Sequence, residues 1–145
     1  EFLSNLLLVA LIPAIGEELI FRGGLQRMML SSTGNPWYSI IVTSMLFSAV
    51  HWQFDGFLAR MFLGAVLGYL YWRTGTLWIS MLLHFLFNGI QVVATYMGVK
   101  VEDAESSIQS KENVFIAITT LLLAALALWV FYKLTKPQPP PNVSA

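Results

Sequence analysis

The chain has 145 residues, 57% of them hydrophobic and only 11% charged, with a mean hydropathy of +0.67. About 25% of residues are charged in a soluble domain, so this is the composition of a membrane protein. Eight basic against eight acidic residues leave no net charge, which argues against a nucleic-acid surface, and the lack of cysteine removes disulfides, thiolate zinc sites and a cysteine nucleophile.

A membrane-spanning helix needs about 20 mostly apolar residues, and five stretches qualify or nearly so. The first predicted helix runs from about Phe2 to Leu30, with a kink expected at Pro13, where the ring frees a backbone carbonyl. Ser31 to Pro36 reads as a turn, with proline placed to start the next helix. The second helix is expected from Trp37 to His51 or Trp52, the third from Phe57 to Trp72, and the fourth from Leu77 to about Met97. The connections are Gln53 to Gly56 and Arg73 to Thr76. Lys100 to Asn113 is polar and reads as a solvated loop, and Val114 to Tyr132 is an uncharged fifth span. The tail, with Pro137 and Pro139 to Pro141, has no core to fold around.

The expected fold is therefore all-α, a polytopic transmembrane bundle of about five helices. Residues 1–98 form the core, 99–113 a loop, 114–133 the last helix and 134–145 a disordered tail. The chain opens on Glu1 rather than Met and enters an apolar helix at once, without the basic start of a signal peptide. The expectation is the C-terminal part of a larger bundle. Arg27, Arg73, Lys133 and Lys136 fall on one side if the helices alternate. Basic loops stay inside, so this is the expected cytoplasmic side of a multi-pass inner (plasma) membrane protein, with the tail cytoplasmic. Glu102, Asp103, Glu105 and Glu112 fall opposite, and the tryptophans cluster near helix ends.

The chemistry is concentrated in Glu17-Glu18-Leu19-Ile20-Phe21-Arg22. An ionised side chain at membrane depth costs roughly 2.5–3.5 kcal/mol on insertion scales. Three in six residues therefore need partners or a use. Glu18 and Arg22 stand one turn apart, the spacing of an ion pair. Glu17 points about 100° away and has no such partner in its own helix. Both histidines of the chain, His51 and His84, fall in other predicted helices, and Asn88 lies one turn after His84. A lone intramembrane histidine is most often a packing residue. Acids, arginine, histidines and asparagine on three helices together point to a functional pathway. At ~1.5 Å of rise per residue, Glu17, His51 and His84 can meet within about two turns of one level.

A carboxylate and an imidazole beside one water can make it a nucleophile. An amide and a second imidazole can donate to a carbonyl oxygen that becomes an oxyanion. That is equipment for amide hydrolysis. No His-Glu-x-x-His helix, Gly-x-Ser-x-Gly elbow or paired-aspartate dyad occurs, Asp55 and Asp103 both lying in loops. A zinc ion held by Glu17, His51 and His84 stays open, since two histidines and a carboxylate form a known catalytic set.

The chain resembles the CAAX-protease and bacteriocin-processing family of intramembrane endopeptidases. The family's signatures are Glu-Glu-x-x-x-Arg, Phe-x-x-x-His and His-x-x-x-Asn. Here they read Glu17-Glu18 with Arg22, Phe47 with His51, and His84 with Asn88, in that order, and Gly23 follows the arginine. The resemblance covers about Leu3 to Val93. It implies a glutamate-dependent protease without a cofactor, in which Glu17 and His51 activate water and His84 and Asn88 form the oxyanion hole. Glu18 and Arg22 would organise the site and Phe47 would pack beside it. The implied partners are a membrane-associated peptide or protein substrate, the lipid bilayer and further membrane subunits.

Other polar or small residues have plainer readings. Gly64 to Gly68 permits close helix packing. Arg60 would snorkel or pair with Asp55, with carboxylate binding a minority reading, and Gln91 would bond across helices. Ser48 would pack against backbone rather than serve His51. Two rival functions stand beside the enzyme: a non-catalytic membrane partner or immunity protein of the same fold, and, more weakly, a proton-coupled transporter subunit.

Overall fold

The computed structural model describes residues 1–52, 54, 56–98, 129 and 131–136, and every regular element among them is helical. Four helices follow in order: α1 Phe2–Thr33, α2 Pro36–Ala49, α3 Phe57–Thr74 and α4 Leu77–Tyr96. Residues 131–134 add a further helical turn. The polar loop 99–113, most of the predicted fifth helix and the tail from 137 lie outside the described residues, as do Gln53 and Asp55. The α1 and α4 helices are long and apolar enough to cross a membrane.

Local chemistry sets the boundaries. At Pro13 the helix continues, and the expected disturbance takes the form of a widened turn over Leu6–Leu11. Proline offers no N–H and its ring crowds the carbonyl four residues back. The ladder shifts by one, so that the Ile12 N–H reaches Leu7 O. A second widened turn covers Leu19–Gln26, directly after the two acids. The α1 helix also runs on to Thr33, beyond the predicted Leu30. The hydroxyls of Ser31, Ser32 and Thr33 bond back to the carbonyls of Met28 and Met29 and keep the last turn helical. Gly34 then ends it in the left-handed region at φ 65°, where a Cβ would be strained. Asn35 caps α2 by accepting from the Tyr38 N–H at 3.1 Å.

The α2 helix ends earlier than predicted, at Ala49, so His51 lies in the turn after it rather than inside the helix. The backbone tightens there: the His51 and Trp52 N–H groups bond to Ser48 O and Ala49 O, three residues back. Trp52 then takes a positive φ of 53°, which no helix continues. The Ser48 hydroxyl donates to Phe57 O at 2.7 Å and ties the end of α2 to the start of α3.

Arg73 was expected in a turn, but the α3 helix extends through Thr74 and buries it. Its guanidinium donates to Tyr132 O at 2.6 Å and to the hydroxyl and carbonyl oxygens of Thr135. A cation at the last carbonyls of a helical segment is favourably placed.

Helices α1 and α4 run antiparallel: Phe2 meets Tyr96, Leu6 meets Gly89, and Gly23 meets Leu77. Helices α1 and α3 run parallel, held by two side-chain bonds one turn apart. Arg22 donates to Gly64 O and Gln26 to Gly68 O, both at 2.9 Å. The two glycines make that approach sterically possible, so the Gly64–Gly68 face packs inside the bundle. A Cβ on Gly64 would stand 3.3 Å from the Ser44 backbone and the Phe47 ring.

Polar groups are buried inside the bundle, beside Phe21, Ile40, Phe47 and Leu67, and the exterior is apolar. Glu18, Arg22, Gln26, Ser39, Thr43, Ser44, Ser48, Ser80 and His84 are buried, whereas Leu3, Leu8, Ile12, Ile20 and Leu82 are exposed. A valine at Gly64 is expected to overpack the α2–α3 seam, at about 1–3 kcal/mol. Thermal unfolding in detergent should show a lowered midpoint for Gly64→Val and a smaller drop for Gly64→Ala; an unchanged midpoint in both would refute the tight seam.

Candidate active site

The site begins with two acids on one short α-helical stretch, Ile12–Glu18, between the two widened turns of α1. Glu18 faces inward and is fully buried, and its Oε1 accepts from Arg22 Nη1 at 2.7 Å, one turn on. Arg22 is equally buried. Its second amino group reaches Gly64 O, and its guanidinium carbon lies 4.7 Å from the centre of the Phe47 ring. One cation thus joins α1, α2 and α3.

The same Glu18 oxygen lies 3.0 Å from Nδ1 of His84 on α4. A carboxylate beside a guanidinium is an acceptor only, so the imidazole donates from Nδ1. Its Nε2 then faces Glu17 Oε2 at 3.7 Å. His51 is oriented in the same way by a different acceptor. Its Nδ1 lies 2.8 Å from Phe47 O, and a carbonyl can only accept, so that nitrogen carries the hydrogen. Nε2 of His51 stays available.

Phe47 lies against both imidazoles, its ring centre 5.2 Å from that of His51 and 5.7 Å from that of His84. Phe21 closes on it edge-on at 5.3 Å. The aromatic ring is the spacer that sets the separation of the histidines.

Glu17, His51, His84 and Asn88 line one open cavity of about 550 Å³, together with Arg60 and Gln91. Hollows of comparable size elsewhere, such as that between Trp37, Tyr69, Trp72 and Trp129, are walled mainly by apolar and aromatic side chains and contain no acid or histidine. Glu17 is the accessible acid, its side chain 29% exposed against none for Glu18. Asn88 has no hydrogen-bond partner among the described residues, and its amide is available to the cavity.

Glu17, Glu18, Arg22, Phe47, His51, His84 and Asn88 thus all lie in this region, with two differences of detail from the sequence reading. Glu17 lies closest to His84, and no ion-pair contact joins it to His51. Glu18 serves His84 as well as Arg22. Helical spacing carries no signal for that second bond, because it spans 66 residues. Arg60 and Gln91, whose types and positions suggest interfacial or packing residues, both line the cavity. Arg60 is reached through Gly56, whose backbone has φ 78° and whose missing side chain leaves space for the guanidinium. Asp55, the predicted partner of Arg60, lies outside the described residues. Among the described residues, no three His, Asp or Glu side chains converge closely enough to hold a metal ion, and Glu17, His51 and His84 are no exception.

A solvent-reachable carboxylate, two imidazoles with their Nδ1 atoms engaged, and a primary amide face one space. The comparison with protein families matches this chain over residues 1–90, a segment that contains all of these groups. The chain belongs to the Rce1-like family of type II CAAX prenyl endopeptidases. This is a family of proteases by its description, and the match spans the three motifs of the site. No curated protein and no solved structure matches the chain.

Removing one partner of a buried ion pair leaves an uncompensated charge, at about 3–5 kcal/mol. Arg22→Leu is therefore expected to destabilise the bundle by about that amount, and Arg22→Lys by less, since a lysine keeps the charge but loses the fork to Gly64 O. Denaturant titration in mild detergent measures both; equal stability of Arg22→Leu and the parent would contradict the role given to the pair.

Proposed function

We propose that this protein is an intramembrane endopeptidase that hydrolyses a peptide bond with water activated by Glu17. What carries the reading is the single cavity in which Glu17, His51, His84 and Asn88, from three separate parts of the chain, face one another, within a segment matched by a protease family. The membrane setting is supported by the apolar exterior, the buried polar groups and two helices of spanning length. The bundle is polytopic in this reading, multi-pass in the plasma membrane, with Arg27, Arg73 and Lys133 on the cytoplasmic side.

In the proposed reaction, a water lies between the Glu17 carboxylate and Nε2 of His51. Glu17 takes its proton as the oxygen attacks the scissile carbonyl carbon. The carbonyl oxygen gains the charge and is met by the Asn88 amide. His84 in its protonated form donates to it from Nε2, while Nδ1 still donates to Glu18. When the tetrahedral intermediate collapses, the carbon–nitrogen bond breaks and the proton held by Glu17 passes to the leaving amine. Glu18 and Arg22 act through His84, as positioning residues. The substrate class is a membrane-anchored peptide or protein, and the reaction needs no cofactor. Zinc held by Glu17, His51 and His84, which the residue types alone allow, is not favoured by their placement, since the three do not converge as a metal site requires.

The test uses two fluorogenic reporters, a prenylated peptide ending in a CAAX sequence and a single-span transmembrane peptide. Detergent-purified protein is expected to cleave at least one of them, with or without a chelator. General-base contributions are typically 10²–10⁴-fold, so Glu17→Gln should lower kcat by about 100-fold or more. Cleavage that a chelator abolishes and zinc restores would establish the metal mechanism instead. Activity that survives Glu17→Gln undiminished would rule out the base.

A further inference from the structure

Helix α4 carries more polar groups than the reaction uses. His84, Asn88, Gln91 and Thr95 recur at helical spacing, so they form one stripe along the helix. Only the first two belong to the chemistry proposed above. Gln91 and Thr95 are exposed, on a helix apolar enough to span a membrane. Exposed carboxamides facing hydrocarbon are costly unless something polar lies against them.

The stripe is not a bare helix face. Asn5, Val9, Gln91, Val92, Thr95 and Tyr96, with Phe2, enclose a second hollow of about 550 Å³ between α1 and α4. Val9 and Gln91 line this hollow and the catalytic cavity alike, so the two spaces adjoin. The groove therefore leads from Glu17 along α4 toward Thr95. Its hydrogen-bonding groups are all neutral: two carboxamides, the hydroxyl of Thr95 and the phenol of Tyr96. No charged side chain among the described residues lines it. Its remaining walls are Phe2, Val9 and Val92.

These groups retain bonding capacity. The Thr95 hydroxyl donates to Gln91 O at 2.9 Å and keeps its lone pairs. Gln91 Nε2 reaches Phe87 O only at 3.4 Å, and its side-chain oxygen Oε1 has no partner among the described residues. From His84 to Thr95 the helix rises about 16 Å at ~1.5 Å per residue. That is the length of about five residues of extended chain.

Resting on the endopeptidase reading, we propose that this groove binds the main chain of the substrate beside the scissile bond. The occupant is an extended, uncharged segment of about five residues, with Gln91 as its principal hydrogen-bonding contact. An extended chain presents an unsatisfied N–H and C=O at every residue, which a row of neutral donors and acceptors matches. A further transmembrane helix satisfies its own backbone and has no such need. Phe2, Val9 and Val92 would receive apolar side chains of the segment, and an ionised side chain there would find no counter-charge.

The test uses whichever of the two fluorogenic reporters the wild type cleaves, remade with the segment on either side of the cut shortened residue by residue. Loss of one or two hydrogen bonds predicts a roughly tenfold rise in KM for Gln91→Leu, with kcat unchanged. Thr95→Val should act in the same direction but only on reporters that reach it, so shortening one side should erase its effect and then that of Gln91→Leu. Replacing one apolar residue of that segment by aspartate should lower kcat/KM about tenfold in the wild type. Gln91→Asn should recover part of the loss if the amide binds substrate. Both variants must keep the parent's thermal midpoint; if Gln91→Leu does not unfold normally, Thr95→Val and the aspartate reporter carry the test. Equal losses on all reporter lengths, or no loss on any, would overturn the groove while leaving the endopeptidase intact. Failure of the wild type to cleave either reporter would end both proposals together.

Discussion

The buried contact between Glu18 and Arg22 is the constraint on which the rest of this protein is arranged. Neither charge reaches solvent, and a pair so deeply buried adds little stability over a well-packed apolar substitute. What it contributes is placement. Arg22 places its second amino group on the Gly64 carbonyl and its guanidinium over the Phe47 ring, which fixes α3 and α2 against α1. The Glu18 oxygen that accepts from Arg22 also takes the Nδ1 hydrogen of His84, which fixes the rotation of α4. A single one-turn pair therefore sets the relative positions of all four helices around the cavity.

The glycines matter because of that arrangement. A guanidinium and a carboxamide can reach backbone carbonyls on a neighbouring helix only if the two axes lie close. Gly64 and Gly68 leave that room, and Ser39, Ser44, Ser48 and Ser80 are small buried residues of α2 and α4. The interior is thus held by hydrogen bonds and small residues as well as by large apolar side chains such as Ile40, Phe47 and Leu67. Phe47 is an aromatic ring at the centre of the site, and its use there is to separate two imidazoles and support a cation.

Division of labour between adjacent acids follows from burial alone. Glu17 and Glu18 are neighbours in sequence, yet one has no exposure and is bonded to Arg22 and His84, while the other opens to the cavity. The widened turns on both sides, Leu6–Leu11 and Leu19–Gln26, bracket the stretch that carries them. Departures of this kind from a regular helix concentrate at functional sites. In α1 the first has an evident cause in Pro13, and the structure offers no comparable cause for the second.

Much of this was legible in the residues taken in order. Composition and apolar runs identify the helices, and Gly34, Gly56 and Gly75 mark the end of α1 and the two ends of α3. The one-turn spacing of Glu18 and Arg22 announces their pairing, because a helix brings such residues together whatever surrounds it. Contacts between helices carry no such local rule. Sequence could not say that His84 rather than His51 lies nearest Glu17, that Glu18 holds an imidazole, or that Arg60 and Gln91 face the same space. Nor could it show that His51 lies just past the end of α2, a matter decided by the left-handed backbone at Trp52. The sequence by itself determined which groups this protein possesses and which of them share a helical face. Only the tertiary structure decided which face met which, since that depends on axial register and rotation, and these are set by bonds between residues far apart in the chain.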